Sequence, residues 1–149
     1  MGIENLPLVR TLEADGKLGT PVMGWGSYPT MIEAAKIGLL LTDEGVWAGQ
    51  TLLDKNKVHE ALERSSRRGM ETNTNAVGNH PTRYLHSFWL PDIALSVGTI
   101  TAPTMNGLGG NFVVLCPGGT IAIRFSDQNV VDVGPMVAVA EFCRRYQSR

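Results

Sequence analysis

The hydrophobic pattern of the chain is densest near its C-terminal end. Phe112-Val113-Val114-Leu115-Cys116 is apolar at every position, whereas Ile121, Ile123 and Phe125 alternate with Ala122 and Arg124. An unbroken apolar run predicts a strand covered on both faces. Alternation predicts a partner strand with one more polar face. The Pro117-Gly118-Gly119 cluster between them predicts a turn, so Asn111–Cys116 and Thr120–Phe125 read as a β-hairpin. Ahead of it lies the glycine-rich approach Asn106-Gly107-Leu108-Gly109-Gly110. Glycine next to a strand lets another backbone, or a ligand, come close.

Upstream, Thr30-Met31-Ile32-Glu33 has the form of a capping box. The apolar set Met31, Ala34, Ala35, Leu39 and Leu41 predicts a helix running from there to Leu41. Gly45 to Gln50 reads as a turn that presents the Trp47 indole. Asp54 is placed to cap a second helix over Lys55–Arg67, with Val58, Ala61, Leu62 and Ser65 on one face. Ser65–Thr82 is polar, with two glycines and a proline, and reads as a long loop. Tyr84–Leu90 reads as an aromatic strand, and Pro91-Asp92 as a turn into a weaker strand over Ile93–Ile100. Asp132-Val133-Gly134-Pro135 opens a closing helix, with proline in the first turn, where its missing N–H is least costly. Met136, Val139, Ala140 and Cys143 form its inward face, and Arg144, Arg145 and Arg149 complement the dipole at its end.

This order predicts an α+β chain in which helices pack on an antiparallel sheet of about four strands. Its organisation reads as a single partial domain. Residues 1–29 form an irregular leader rich in glycine and proline, without helix or strand. Residues 30–82 hold the helices and the loop, and residues 83–149 hold the sheet and the closing helix.

Composition narrows the function classes. A net charge of −1 over 149 residues leaves no electrostatic footprint for nucleic acid. No apolar run is long enough to span a membrane. The opening stretch carries Glu4, Glu13 and Asp15 and lacks a signal-peptide core; no compartment follows from the sequence. Cys116 and Cys143 read as buried thiols, not a disulfide framework. His59, His80 and His86 match no zinc spacing. Arg64, Arg67 and Arg68 form a basic cluster, either a solvated helix end or a holder of an anionic group.

The stretch Glu33–Leu41 followed by Gly45-Val46-Trp47-Ala48-Gly49-Gln50-Thr51-Leu52-Leu53 resembles the serine β-lactamase-related hydrolases. That family comprises class C β-lactamase, penicillin-binding and esterase-type proteins, in which a G-x-W-x-G-x-x-L-L turn follows a comparable helix. The downstream pieces keep the family's order: an aromatic strand at Tyr84–Trp89, the glycine-rich stretch Met105–Gly110, the strand Asn111–Cys116, a turn, a strand and a C-terminal helix. The resemblance covers nearly the whole chain and only the C-terminal part of the family. It implies the C-terminal portion of the β-lactamase/transpeptidase-like fold, with a missing N-terminal half as partner.

The family's third signature, Lys-Thr-Gly or a looser relative, falls on Met105-Asn106-Gly107. The resemblance then gives Leu108 the oxyanion-hole amide, a donor fixed before charge develops on the carbonyl oxygen. It makes Met105, Asn106, Gly107, Gly109 and Gly110 the substrate-binding positions. With Met105 in place of the basic residue, a small-molecule ester or amide fits better than a substrate bearing a carboxylate. No serine is followed by lysine at the third position, and no tyrosine opens a Tyr-x-Asn. The acyl-enzyme chemistry of the family requires both, so the nucleophile is expected outside this chain. No cofactor or metal is implied.

Two other chemistries fit the residues less well. The Gly-Leu-Gly-Gly run opens a strand, whereas phosphate cradles place such glycines before a helix. His86 and Ser87, adjacent in one strand, would point to opposite faces. A reading of a different class stays open, in which the chain is a non-catalytic binding or interaction module, the remnant of an enzyme.

Overall fold

The computed structural model describes residues 1–3, 6–21, 27–73, 76–95, 98–107, 109–128, 132–136, 138 and 139. Its architecture is α+β, with antiparallel sheets and two helices bounded at both ends among those residues.

The leader is more regular than expected. Strands β1 (Arg10–Leu12) and β2 (Leu18–Pro21) pair as a two-stranded hairpin. Its turn is closed by Glu13 N–H donating to Lys17 O and by the Asp15 carboxylate accepting from Lys17 N–H. Leu12 and Leu18, paired across the ribbon, are both exposed. A ribbon exposed on both faces shows no alternation, which is why the pattern misses it.

Helix α1 (Met31–Thr42) carries the expected capping box: Glu33 N–H donates to Thr30 Oγ1 (3.2 Å) and Thr30 N–H to Glu33 Oε2 (2.7 Å). It buries Ala34, Gly38 and Leu40. Strands β3 (Val46–Trp47) and β4 (Gln50–Thr51) make a small hairpin around Ala48 and Gly49, both at positive φ (49° and 79°), the signature of a tight two-residue turn.

Helix α2 (Lys55–Ala61) starts at Asp54, whose carboxylate accepts from Lys57 N–H at 3.0 Å. It stops well before the expected Arg67. Glu63 adopts φ 57°, a left-handed conformation that ends the helix and turns the glutamate inward.

Among the described residues the main sheet has seven strands instead of about four. In chain order these are β5 (Met70–Thr72), β6 (Thr82–Leu85), β7 (Phe88–Leu95), β8 (Gly98–Thr101), β9 (Thr104–Gly107), β10 (Asn111–Leu115) and β11 (Ile121–Arg124). Their spatial order is β11-β10-β9-β7-β6-β5, with β8 also on β7. The polar stretch 65–82 thus contributes an edge strand, β5. The aromatic run is not one strand: His86 and Ser87 take φ 45° and 69° and fold it into a hairpin. Pro91-Asp92 is no turn but the middle of β7. There Asp92 N–H donates to Pro81 O, and Pro91 O accepts from Ala102 N–H.

Strand β7 is shared. Trp89 pairs with Thr104 of β9, while Asp92–Leu95 pair with β8, so β8 and β9 act as one strand broken at Ala102-Pro103. The hairpin β10–β11 forms as expected, with the Pro117–Gly119 turn between its strands.

Strand β10 is buried from Phe112 to Leu115, and on both faces, because successive side chains alternate. Val113 and Leu115 join Ala34, Val58 and Leu62 under the helices. Phe112, Val114 and Cys116 join Val77, Ile93, Ala102, Val133 and Met136 on the opposite face. The closing helix opens at the expected place, with Asp132 Oδ1 accepting from Gly134 N–H (2.7 Å). Its later positions Ala140, Cys143, Arg144, Arg145 and Arg149 lie outside the described residues. No helix among the described residues is long and apolar enough to cross a membrane.

Candidate functional site

The expected substrate-binding positions occupy β9 and the turn after it. Gly107 pairs with Asn111, Asn106 with Phe112 and Met105 with Val113. This register sorts the side chains. Met105 lies on the helix side, partly buried against the cluster of Ala34, Val113 and Leu115. Asn106 lies on the other face and donates from Nδ2 to Ala76 O at 2.6 Å. Gly107 is exposed at the strand's end.

Gly109 and Gly110 turn the chain at φ 88° and 82°. A Cβ on Gly109 would also sit 3.2 Å from Ser126 O, so both conformation and space call for glycine there. Asn111 fixes the far side of this turn by accepting Ser126 N–H on Oδ1 at 2.9 Å. Leu108, the expected oxyanion donor, lies outside the described residues.

The segment that Asn106 holds carries no signal in the sequence pattern. Val77 and Gly78 are buried, and a Cβ on Gly78 would meet Asp132 Oδ1 at 3.2 Å and His80 Cδ2 at 3.3 Å. His80 and Asp132 therefore flank one glycine beside the Asn106 face of the sheet. A sequence separation of thirty residues between Ala76 and Asn106 hides this arrangement from any local pattern.

A second polar centre lies under the helices. Arg83 of β6 donates from Nε and Nη2 to Glu63 (2.9 and 2.7 Å) and from Nη2 to Asp92 Oδ1 (3.0 Å). Its Nη1 donates to Asp92 Oδ2. Thr101 Oγ1 donates to Asp92 Oδ1 at 2.6 Å, and Gly69 N–H to Glu63 Oε1 at 2.9 Å. The Arg83 guanidinium holds the Glu63 and Asp92 carboxyls below their usual range, and the two carboxylates raise Arg83 in return, Glu63 most. Every buried side-chain nitrogen and oxygen among the described residues has a partner. The network consumes its own charges, as a structural ion-pair centre does.

The basic cluster divides. Arg67 leans on Glu60 and Arg68 approaches Glu63 at 3.5 Å. Glu60 also receives His86 Nε2 at 3.2 Å and Lys57 Nζ at 3.3 Å, and its carboxyl falls to about 2, with His86 the largest cause. His86 and Ser87 sit side by side in an exposed hairpin turn, not in a strand, and His86 is turned to Glu60. His59 pairs with Glu44 at 2.7 Å. No group of histidine, cysteine, aspartate and glutamate among the described residues is arranged to hold a metal ion. No protein-family model matches the sequence, and no curated protein matches it either.

Proposed function

We propose that β9 and its turn form one wall of a serine-hydrolase active site. In this reading the wall receives a small-molecule ester or amide, and the attacking serine comes from another stretch of polypeptide. The observation that supports it most is Gly107: an exposed glycine ends a strand paired along β10, which is buried from Phe112 to Leu115. A backbone held this way can meet an acyl group closely and present an amide without reorganising. The resemblance of Met105-Asn106-Gly107 and of the Gly45–Leu53 turn to the β-lactamase-related hydrolases gives the wall its chemistry.

The test has two arms. The isolated chain should form no acyl-enzyme with a fluorophosphonate probe. Mixed with a polypeptide that bears Ser-x-x-Lys and Tyr-x-Asn, it should restore ester turnover, and Gly107→Val should depress that turnover. A Cβ at position 107 would lie in ordinary contact with Asn111 Cβ, at 3.4 Å, so the substitution probes access to the strand and not folding. An unchanged rate would remove β9 from the site.

A specific pair of contacts favours the second reading, a non-catalytic binding or interaction module. Met105 is packed in the helix-side core and Asn106 is spent on Ala76 O. Both side chains of the signature, glycine having none, are thereby engaged within the chain. Saturable binding of a small ester or amide without turnover, under the same reconstitution, would select this reading.

A further inference from the structure

Between α2 and the edge strand β5, residues 64–69 have neither helix nor strand structure, and Arg64–Arg68 are all exposed. The Arg67 and Arg68 side chains are 59% and 72% exposed, Arg67 resting on Glu60 and Arg68 lying 3.5 Å from Glu63. An ion pair whose cation stays this exposed holds a segment weakly. The strand that follows is equally easy to detach: β5 is three residues long, pairs among the described residues only with β6, and leaves Met70 75% exposed. Residues 64–72 can therefore open while both core clusters stay closed. The other described basic residues outside this segment sit in regular structure or in a closed turn. Lys36, Lys55 and Lys57 lie on helices, Arg10, Arg83 and Arg124 on strands, and Lys17 closes the β1–β2 turn through its carbonyl.

Directly after the paired arginines comes Gly69, whose amide nitrogen is 2.9 Å from Glu63 Oε1. The Glu63 side chain is 2% exposed and is held from its other side by Arg83. We propose that the Arg67–Arg68 turn is a proteolytic processing site for an endoprotease of paired-basic specificity, and that the buried Glu63 carboxylate captures the new Gly69 amino terminus.

The chemistry is hydrolysis of the Arg68–Gly69 peptide bond by water. The hydroxyl goes to the Arg68 carbonyl carbon and a proton to the Gly69 nitrogen, and the amine then takes up a second proton from solvent. A neutral amide donor becomes an ammonium against the same carboxylate, and a charged donor makes the stronger bond. Arg68, now bearing a carboxylate, leaves with the residues 64–68 tail. The two halves stay joined through the Glu63–Arg83 contact and through the helix-side core, in which Ala34, Val58 and Leu62 of one half meet Val113 and Leu115 of the other.

Limited digestion of the whole chain with trypsin, followed by mass spectrometry and gel filtration, tests this. The expected result is cleavage after Arg68 ahead of cleavage at Lys17, Lys55, Lys57 or Arg83, with halves that co-elute. The Gly69 amine should react with an acylating reagent near neutral pH about tenfold more slowly than the peptide Gly-Met-Glu-Thr-Asn, because the Glu63 carboxylate holds it as the ammonium. In Arg67→Gln/Arg68→Gln that cut should disappear while the thermal midpoint holds. Earlier cleavage at Lys17, halves that elute apart, or an amine as reactive as the peptide would each overturn the proposal.

Discussion

The Arg83 guanidinium grips the Glu63 carboxylate through both Nε and Nη2, joining the end of α2 to the second strand from the edge of the sheet. Glu63 can reach inward only because its backbone takes φ 57°. The same guanidinium holds Asp92 on the neighbouring strand, so one side chain ties together three segments of the chain. Replacing Arg83 by methionine leaves Glu63 buried without its main counter-charge. Breaking one side of a buried pair costs about 3 kcal/mol, and urea denaturation should show a loss of that size. The double variant Glu63→Gln/Arg83→Met removes the stranded charge and should recover part of it.

The same centre sets the acid response. Glu63 and Asp92 both have folded-state pKa values below the 4.5 and 3.8 of the unconstrained groups. Between folded and unfolded values the unfolded chain binds more protons, so stability rises with pH there. The contribution is complete above pH 4.5 and disappears as pH falls through the folded values. Denaturation midpoints should therefore be level from pH 7 to about 5 and decline below about 4. Arg83→Met should flatten that decline, since it removes the largest cause of both shifts. An equally steep decline in the variant would assign the acid response to other carboxylates.

Elements whose signal is local are visible in the amino-acid order. The Thr30/Glu33 box and the Asp54 cap each place a side chain within three residues of the amide it serves. The hairpin over β10 and β11 announces itself through an apolar run and a glycine-rich turn. What escapes detection depends on backbone conformations that the residues do not advertise. His86 and Ser87 form a positive-φ turn without glycine or asparagine, the residues that usually take such positions. Glu63 ends α2 in the same unannounced way. Strands β5 and β6 are too short to show a period. In the candidate site the glycines stand out because their purpose is local. The Asn106 bond to Ala76 and the Arg83 centre span long sequence separations and emerge only with the fold.

Two glycines in one turn region separate strain from collision. Gly45 (φ 88°) and Gly49 (φ 79°) both occupy the left-handed region. A Cβ on Gly49 would meet nothing within 4 Å, so Gly49→Ala pays only for the conformation, about 1 kcal/mol. A Cβ on Gly45 would fall 2.5 Å from Leu53 O, a backbone atom that cannot swing away. Gly45→Ala should cost at least about 2 kcal/mol more than its neighbour, the range of an overpacked site. Thermal unfolding of the two variants side by side measures the difference; equal losses would mean that the Leu53 segment moves freely.

Asn106 offers the sharpest separation of a strut from a substrate contact. Its amide donates to Ala76 O and fastens the segment containing Val77, which is completely buried among Phe112, Val114 and Val133. Asn106→Ala removes one hydrogen bond and should cost about 1 kcal/mol. Asn106→Asp is nearly the same size but sets a carboxylate against a carbonyl, so it should cost more than alanine and should lose less at acid pH, where a protonated carboxyl can donate. Hydrogen exchange at the Val77 and Gly78 amides should accelerate in both variants in the same order. If the two substitutions instead leave stability and exchange untouched and act only on ester binding in the reconstituted protein, Asn106 belongs to the substrate surface and the Ala76 contact is incidental.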